Sequence, residues 1–480
     1  MTDYTAVLAK VPQIGLGYLA TIGKNLGYEV TILDCANKGL DADGVMSFLQ
    51  HNSFDIVGLQ CFTFEVGISR RIIKRIKAEY PNIITLLGGP HPTAVKEKIF
   101  CDIPELDYSF VGESEIGFSQ FLKSLPDLQK DPDLLKSISG LCYLDSFGAF
   151  HSTPPEDIDN LDSLPFPDWS QIDPNTYPRM PQGLIFKQSP MAPIIATRGC
   201  PFKCTFCSSA GTKIRSRSIN NVIEEIKFLQ THYGVREIHF LDDNLSFYKS
   251  YIKELSQRII DENLGISWCC TNGLRIDCLD LETVRLMKRS GCYYISLGIE
   301  SGSDRVLEFV KKKIGTQKTA EKIKEMGQVS GLDINGYFIL GFPTETLEEM
   351  NQTIDYALSL PLARANFHTF IPLPGTEVFG HLMDEGWDKE GVWETCFQGE
   401  IPYIPKGLTK GNIVSIQRRA LRKFYLRPHI LWKLFRSLHS LDQIKSLLMR
   451  LIAFGKIGSF SQPPINVSDT SRSLTRPPIC

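Results

Sequence analysis

The sequence lacks the features that mark secreted, membrane-spanning and nucleic-acid-binding proteins. No leader of charged, apolar and small residues opens it, and no apolar run reaches the roughly 18 residues that a membrane span needs. Its charge is nearly balanced, with 52 Lys and Arg against 54 Asp and Glu, so no general attraction to nucleic acid is indicated. We therefore expect a cytoplasmic protein without a nucleic-acid partner.

Cysteine is too sparse for a disulfide scaffold, with 13 residues in a chain of 480. Clustered cysteines in the reducing cytoplasm commonly bind metal, and ATRGCPFKCTFC places Cys200, Cys204 and Cys207 directly after the apolar run APIIA. Iron–sulfur clusters usually take one thiolate per iron, so three cysteines would leave one iron of a cubane open to a substrate. A three-cysteine zinc site completed by a distant histidine and an electron-transfer cluster are the alternatives.

Two arrays of alternating strands and helices predict an α/β protein. Residues 1–126 contain the apolar runs AVLA, EVTILD, DIVGLQ, NIITLLGG and LDYSFVG, which predict a Rossmann-like (flavodoxin-like) parallel sheet covered on both faces. Residues 127–190 are rich in Asp, Pro and Ser and form the predicted interdomain segment. Residues 191–380 contain PIIATRG, REIHFLDD, ISWCCTN, YYISLGIE, DINGYFILG and ANFHTFIPLP, which predict a partial TIM barrel of six β/α units.

The end of the chain has a different composition. Residues 381–456 are predicted to be helical and basic, and residues 457–480 have the composition of a disordered tail. The basic helical stretch is interpreted as a solvated face packed on the domain. Contact with an anionic membrane surface or a lipid-like substrate is the alternative.

The spacing C-x3-C-x2-C, with Phe206 before the third cysteine, resembles the signature of the radical S-adenosylmethionine superfamily. The resemblance implies that Cys200, Cys204 and Cys207 hold a [4Fe–4S] cluster whose open iron chelates S-adenosylmethionine. One electron would then cleave the sulfonium bond and release a 5′-deoxyadenosyl radical. The resemblance also implies a low-potential electron donor, such as flavodoxin or ferredoxin.

Further residues at predicted strand ends match positions of the same family. The resemblance places Asp242 and Asp243 near the amino group of the methionine moiety and Glu300 in contact with the cosubstrate. It places Gly341 and Pro343 where the backbone approaches the adenine.

Structural alternatives exist for several of these polar residues. Asp243 or Asn244 could instead cap the helix that follows. Asn272 and Arg275 follow the third barrel strand, and a structural ion pair for Arg275 is as good an interpretation as a binding role.

The first array resembles the cobalamin-binding domain found before many radical S-adenosylmethionine enzymes, on PQIGLGYLATIGKNLGYEVTILD, DIVGLQCFTF, LLGGPHPT and FVGESE. The implied cofactor-binding residues are Gly15, Gly17, Gly88 and Gly89, since small residues let the backbone approach a flat corrin ring. A dinucleotide fingerprint also matches G-x-G-x-x-A formally, but the glycines do not turn directly off a strand.

One departure concerns the lower axial ligand of cobalt. In DCANKG, Ala36 stands where related cobalamin domains carry a histidine, so no imidazole can bind cobalt from this position. A weakly ligated lower face eases access to Co(I), although loss of cobalamin is the alternative interpretation. His91 in GGPHPT is a possible ligand or contact of the nucleotide tail.

Together the two resemblances imply a cobalamin-dependent enzyme that methylates an unactivated carbon or a phosphinate phosphorus of a small-molecule or lipid-like substrate. An oxidative cyclase of the anaerobic tetrapyrrole type is one alternative. A methylthiotransferase-like enzyme with a second cluster on Cys35, Cys61 and Cys101 is another. The last alternative function is that of a noncatalytic structural or redox iron–sulfur protein.

Overall fold

The computed structural model describes residues 10–178, 186–387, 401–436 and 444. Within these residues the chain forms a five-stranded sheet, a six-stranded sheet and a two-stranded hairpin. None of the described helices has the length and apolarity needed to cross a bilayer.

The five-stranded sheet belongs to the N-terminal array and has the spatial order β1-β2-β3-β4-β5. Its strands are β1 (Ile56–Gln60), β2 (Ile84–Gly88), β3 (Tyr108–Phe110), β4 (Leu141–Leu144) and β5 (Phe150–Ser152). The helices of this region are α1 (Ile14–Asn25), α2 (Cys35–Lys38), α3 (Ala42–Gln50), α4 (Val66–Glu79), α5 (Pro90–Val95), α6 (Lys98–Asp102) and α7 (Ser114–Ser124). β1, β2 and β3 pair in parallel, whereas β4 and β5 add antiparallel strands from beyond residue 126.

The strand predicted for EVTILD is wrong. Residues 29–34 form no ladder, and two of their backbone groups pair with a side chain from the interdomain segment instead. The amide group of Gln171 accepts from Ile32 N at 2.7 Å and donates to Val30 O at 2.9 Å. The predicted strand AVLA lies outside the described residues.

The second array forms the predicted partial barrel. The remaining strands are β6 (Met191–Ile194), β7 (Thr197–Arg198), β8 (Arg215–Ser216), β9 (Glu237–Phe240), β10 (Ser267–Leu274), β11 (Cys292–Glu300), β12 (Asp333–Leu340) and β13 (Arg364–Thr369). Six of them build one parallel sheet in the order β6-β9-β10-β11-β12-β13, and β7 and β8 form a separate hairpin. All six predicted barrel strands are therefore confirmed.

Helices cover the outer face of this sheet. They are α8 (Ile219–Tyr233), α9 (Lys249–Asp261), α10 (Leu281–Arg289), α11 (Asp304–Phe309), α12 (Thr316–Met326), α13 (Leu347–Ser359) and α14 (Glu377–Asp384). Local sequence sets their ends: α8 is capped before its first residue by Ser218, whose side chain accepts from Asn221 N, and after its last residue by Gly234 with φ +65°. The core between helices and sheet includes the buried side chains of Phe240, Trp268 and Phe338.

The last described helices are α15 (Lys410–Tyr425) and α16 (Pro428–Arg436), as the basic helical prediction requires. α15 packs on β13, the edge strand of the barrel, and its side chains satisfy part of that edge. Gln417 Nε2 donates to Phe367 O at 2.8 Å, and Tyr425 Oη donates to Ala365 O at 3.0 Å. The helix thereby blunts an edge that could otherwise pair with another chain.

The interdomain segment is held firmly between the two arrays. Trp169 is buried, and its Nε1 donates to Glu225 Oε1 on α8 at 3.1 Å. On the other side, a Cβ at Gly17 of α1 would lie 2.7 Å from Pro167 Cβ, which only a glycine avoids. The predicted domain boundaries at residues 126 and 190 stay predictions.

Candidate active site

The three clustered cysteines lie on the loop between β7 and β8, at the carboxyl end of β6, where barrel enzymes carry their active sites. All three thiols are partly buried. The pKa of Cys207 is raised to about 11, first by burial and further by the charges of Cys204 and Cys200. Three thiols on a single loop, close enough for their charges to interact, fit an iron–sulfur cluster with one open iron.

Backbone geometry closes this loop tightly. Gly199 has φ +90°, and a Cβ there would lie 2.2 Å from Lys213 O, so this position requires glycine. The middle of the loop is tied to the barrel through Thr205, whose N donates to Val310 O at 3.2 Å and whose O accepts from Val378 N at 3.0 Å. The cysteines are therefore presented from a fixed frame.

Asp242, at the end of β9, holds the strand end that leads into the loop. Its Oδ1 accepts from Ala196 N at 3.1 Å, from Thr197 Oγ1 at 2.7 Å and from Thr197 N. Its Oδ2 is buried without a hydrogen-bond partner in the described residues. Burial raises the pKa of Asp242 to about 7, against the hydrogen bonds that lower it.

Asp243 holds both ends of the cysteine loop. Its Oδ2 accepts from Gly199 N at 3.2 Å, and its Oδ1 accepts from Ser209 Oγ at 2.7 Å. Neither Asp243 nor Asn244 caps α9, whose N-cap residue is Tyr248. The sequence placed both aspartates at a strand end but did not reveal that they hold the loop. Contact of either with the methionine amino group stays a prediction.

Glu300 ends β11 in a left-handed conformation with φ +67°. Its Oε1 accepts from Lys312 Nζ at 2.7 Å, and both side chains are only 8% exposed. A Cβ at Gly298 would lie 2.6 Å from Glu300 Oε1 and 2.8 Å from Lys312 Nζ. The sequence predicted Glu300 of this buried ion pair but not its partner, because nothing in the run KKK singles out Lys312.

Arg275 lies against the cysteine loop and is buried. Its guanidinium carbon is 3.7 Å from the centroid of the Phe202 ring, and Nη1 lies 3.7 Å from Cys204 Sγ. Nε and Nη2 donate to the carboxylate of Asp277 at 3.0 and 2.9 Å, and Nη2 also donates to Lys312 O at 2.6 Å. The structural ion pair therefore exists, in direct contact with the loop.

The turn after β12 contains the predicted Gly341 and Pro343. Gly341 has φ +90°, and the N–H groups of Gly341 and Phe342 donate to Glu345 Oε2 at 2.6 and 3.0 Å. Burial raises the pKa of Glu345 to about 7, and its Oε1 is buried without a partner in the described part of the chain. The ring of Phe206 packs on that of Phe342 at 5.3 Å, so the loop and this turn are in contact. Adenine binding here stays a prediction.

The concave face of the barrel sheet carries side chains that sequence reasoning missed. His368 on β13 is exposed, and its ring lies 5.9 Å from that of Tyr337 on β12. Tyr337 Oη donates to Thr271 O at 2.6 Å. Alternation along β13 identifies this face, since the neighbouring Phe367 packs outward in the core.

The carboxyl end of the N-terminal sheet carries the predicted Gly88 and Gly89. A Cβ at Gly89, which has φ +112°, would lie 2.9 Å from Cys61 O, so the protein's own backbone already requires a glycine there. Gly15, on α1, has nothing within 4 Å of its Cβ position. Next to β1, the ring of Phe62 is 36% exposed and stacks on that of Phe64 at 5.7 Å with an interplanar angle of 9°. Phe62 therefore presents an exposed apolar ring at this edge.

His91 is buried beside this edge. It is 1% exposed, and burial followed by the charge of Lys98 lowers its pKa to about 4. Its Nδ1 lies 3.3 Å from Thr63 Oγ1, and Nε2 lies 4.0 Å from Asp102 Oδ2. The imidazole is buried within the domain, and its role as a ligand or tail contact stays a prediction.

Four charged side chains join the two arrays at the site. Arg215 after the cysteine loop donates to both oxygens of Glu113, Nη1 to Oε2 at 2.9 Å and Nη2 to Oε1 at 2.6 Å. Arg198, before the loop, pairs with Glu115 at 2.7 Å and lies 3.4 Å from Glu113. Both glutamates follow β3, so the carboxyl end of the N-terminal sheet reaches the cysteine loop directly.

A second contact lies on the other side of the mouth. Gly375, after β13, has φ +78°, and a Cβ there would lie 3.1 Å from the Cβ of Ala94 on α5. α5 follows β2, so this contact also joins the carboxyl ends of the two sheets. Both sets of contacts therefore bring the carboxyl ends of the two sheets together at the cysteine loop.

Comparison with known proteins agrees with this arrangement. The profile of the radical SAM superfamily matches residues 194–357, and that of the B12 binding domain matches residues 4–122. An uncharacterized methyltransferase of Pyrococcus horikoshii is 32% identical over 426 residues, which cover 88% of this chain and 89% of that protein. A cytidylyl-2-hydroxyethylphosphonate methyltransferase of Streptomyces wedmorensis is 27% identical over 455 residues, 84% of each chain.

A solved structure shares the fold. The cobalamin-dependent S-adenosylmethionine radical enzyme OxsB, with aqua-cobalamin and S-adenosylmethionine bound, superposes with a TM-score of 0.71 at 15% identity. The match covers 94% of this chain and 70% of OxsB.

The fold and the site thus define an iron–sulfur enzyme in which a cobalamin-type domain faces a partial barrel. The chain belongs to the radical S-adenosylmethionine superfamily, in the group that carries an N-terminal B12-binding domain. It is a cobalamin-dependent enzyme of the methyltransferase class, and its cofactors are a [4Fe–4S] cluster, S-adenosylmethionine and cobalamin.

Proposed function

We propose that this enzyme methylates an unactivated carbon, or a phosphinate phosphorus, of a small-molecule or lipid-like substrate held in the barrel mouth. The supporting observation is the opposition of the two sheet ends, through Glu113 with Arg215 and through Ala94 with Gly375. When bound, the cofactors supply the methyl carrier and the radical, and the protein positions the substrate between them. The S. wedmorensis relative acts on a phosphonate according to its name, which is in line with a phosphorus-containing acceptor.

Glu300 and Lys312 are the residues we propose for the methionine end of S-adenosylmethionine. That end is a zwitterion, and a buried carboxylate and ammonium 2.7 Å apart offer it the opposite charges. Their low exposure strengthens each contact, because little water screens it. The unpartnered Oδ2 of Asp242 is a further acceptor for the ammonium group.

Aromatic side chains exclude water from the same space. The ring of Phe342 is fully buried and packs on the rings of Phe206 and Phe370, each at 5.3 Å. On the concave face, the exposed His368 and its neighbour Tyr337 are the side chains we propose to meet the methyl acceptor.

The test is anaerobic reconstitution with iron, sulfide and hydroxocobalamin, followed by metal analysis and incubation with methyl-deuterated S-adenosylmethionine and cell extract. We expect about four iron atoms and about one cobalt atom per chain, 5′-deoxyadenosine, and a product that carries the labelled methyl group. Cys207→Ala is the matched control, because it removes one cluster thiolate and should abolish 5′-deoxyadenosine. Products without label, despite full cofactor loading, would contradict methyl transfer.

The same experiment separates the other reactions. A tetrapyrrole-type cyclase would give 5′-deoxyadenosine and an oxidised product without the labelled methyl group. A methylthiotransferase would hold about eight iron atoms and no cobalt. The structure does not favour the latter, since Cys61 is buried and burial raises the pKa of its thiol to about 12.

We also propose that the surface of α15 and α16 contacts an anionic membrane. The exposed apolar side chains of Leu426, Leu431 and Trp432 accompany exposed cationic residues such as Arg419 and Arg422. Apolar and basic groups on one surface are typical of helices that lie on anionic lipid. Co-sedimentation with phosphatidylserine vesicles but not with pure phosphatidylcholine vesicles is expected. Equal behaviour with both vesicle types, or unchanged binding by Trp432→Ala, would contradict this contact.

A low-potential electron donor, such as flavodoxin or ferredoxin, and a cytoplasmic location complete the proposal. Either donor should support formation of 5′-deoxyadenosine in place of a chemical reductant. Failure of both donors, with the chemical reductant active, would contradict this choice of partner.

A further inference from the structure

Arg275 is fixed in an orientation that leaves one nitrogen for the cluster loop. Asp277 takes a two-pronged contact from Nε and Nη2, and the carbonyl of Lys312 takes a second contact from Nη2. These acceptors occupy the Nε and Nη2 donors of the planar guanidinium group. Nη1 is thereby directed at Cys204 Sγ, 3.7 Å away.

The loop also packs an aromatic ring against the guanidinium group. Phe202, between the first two cluster cysteines, places its ring centroid 3.7 Å from the guanidinium carbon. A T-shaped contact with Phe247 at 5.7 Å supports that ring from behind. Arg275 is only 4% exposed, so solvent screens its charge little.

We propose that Arg275 is a positioning residue that anchors the cluster loop and donates to the Cys204 thiolate, so that its charge raises the reduction potential of the cluster. The physical reason is that cluster potentials depend on net charge and on hydrogen bonds to sulfur. A cation and donor beside a ligand sulfur stabilises the reduced form, which carries one more negative charge. The inference rests on the cluster alone and does not depend on the methyl acceptor.

The alternative is that Arg275 and Asp277 form a merely structural pair. The two possibilities differ in the sign that each partner imposes on the potential. If the charge acts on the cluster, loss of Arg275 must lower the potential, whereas loss of the carboxylate of Asp277 must raise it. If the pair only holds the fold, both variants disturb the same contact and shift the potential in the same direction or not at all.

The test measures the cluster midpoint potential by spectroelectrochemical titration of the reconstituted full chain without substrate. For Arg275→Gln we expect the equilibrium constant for reduction to fall about tenfold, which is about 59 mV for one electron. For Asp277→Asn we expect a rise. Arg285→Gln is the matched control, since Arg285 is exposed on α10, and should leave the potential unchanged.

Arg275→Lys refines the result, because lysine keeps the charge but lacks the planar fork and the stacked face. We expect the midpoint potential of Arg275→Lys to lie closer to that of the unaltered protein than the potential of Arg275→Gln does. Its iron content should be lower than that of the unaltered protein, because the loop is held less firmly. If Arg275→Gln binds no cluster, Asp277→Asn decides alone. An unchanged or lowered potential in Asp277→Asn overturns the proposal, as does an unchanged potential in fully loaded Arg275→Gln. Neither result bears on the proposed methyl transfer, which the isotope-label experiment measures separately.

Discussion

Glu113→Gln should uncouple the two arrays. The Glu113 carboxylate receives two hydrogen bonds from Arg215, and the side chains are 19% and 7% exposed. Removing one partner of a buried ion pair costs about 3–5 kcal/mol, because the other charge stays buried. For a cooperative unit of 150–250 residues, each kcal/mol lowers the melting temperature by about 2–4 °C. Taking the lower bound of 3 kcal/mol, we expect the midpoint of the N-terminal unit to fall by about 6–12 °C.

Calorimetry of the apoprotein measures this change, with Asp43→Asn as the control. Asp43 also pairs with an arginine, Arg75, but its side chain is 85% exposed, and such surface pairs contribute at most about 1 kcal/mol. A shift for Glu113→Gln no larger than that for Asp43→Asn would refute the reasoning. A double-mutant cycle with Arg215→Met should give a coupling energy of at least about 1 kcal/mol.

The effect of Glu113→Gln should also depend on pH. Burial raises the pKa of Glu113, but the hydrogen bond from Arg215 and the charges of Arg198 and Arg215 outweigh it, so the folded-state pKa is lowered. The stabilisation is therefore present above the ordinary glutamate pKa of about 4.3 and is lost as the pH falls through the lowered value. The difference between Glu113→Gln and the unaltered protein should shrink below about pH 4.

Three further predictions concern the cysteine loop, its support by Asp243, and the interdomain segment. Gly199→Ala should lose most of its iron after reconstitution, because its Cβ would meet Lys213 O at 2.2 Å; normal iron content would contradict this geometry. Asp243→Ala, which removes the acceptor for both loop ends, should bind less iron than Asp243→Asn, which keeps one oxygen; equal loading would refute the role. Trp169→Phe should lower the free energy of unfolding by about 1.5–3 kcal/mol, since its Nε1 donates to a buried carboxylate; denaturant titration checks this.

Local sequence predicted the barrel well, because its strands are short apolar or alternating runs whose burial decides their conformation. The same reasoning failed for residues 29–34, where Gln171 competes for the backbone from more than 130 positions away. A polar side chain that replaces a ladder leaves no trace in local periodicity. Local patterns also could not predict that β4 and β5 extend the N-terminal sheet as antiparallel strands. Their pairing depends on where the interdomain segment folds back.

The site shows the same division between local and distant information. The cysteine motif was readable because its ligands lie within eight consecutive residues. The function of Asp243 as a loop support was not readable, because its partners Gly199 and Ser209 are 44 and 34 positions away. Lys312 stands among identical neighbours, and Lys311 pairs instead with Glu377 at the surface. Only the folded chain distinguishes them.

The ion pairs between the arrays have a consequence for how such proteins diversify. Glu113 and Glu115 belong to one module, and Arg198 and Arg215 belong to the other. A chimera can take the first module from a relative that lacks both carboxylates. It would then leave the two guanidinium groups at the interface between the modules without their acidic partners. Recombination between lineages should therefore succeed where these four residues are inherited as a set, even when the rest of the interface between the modules has diverged.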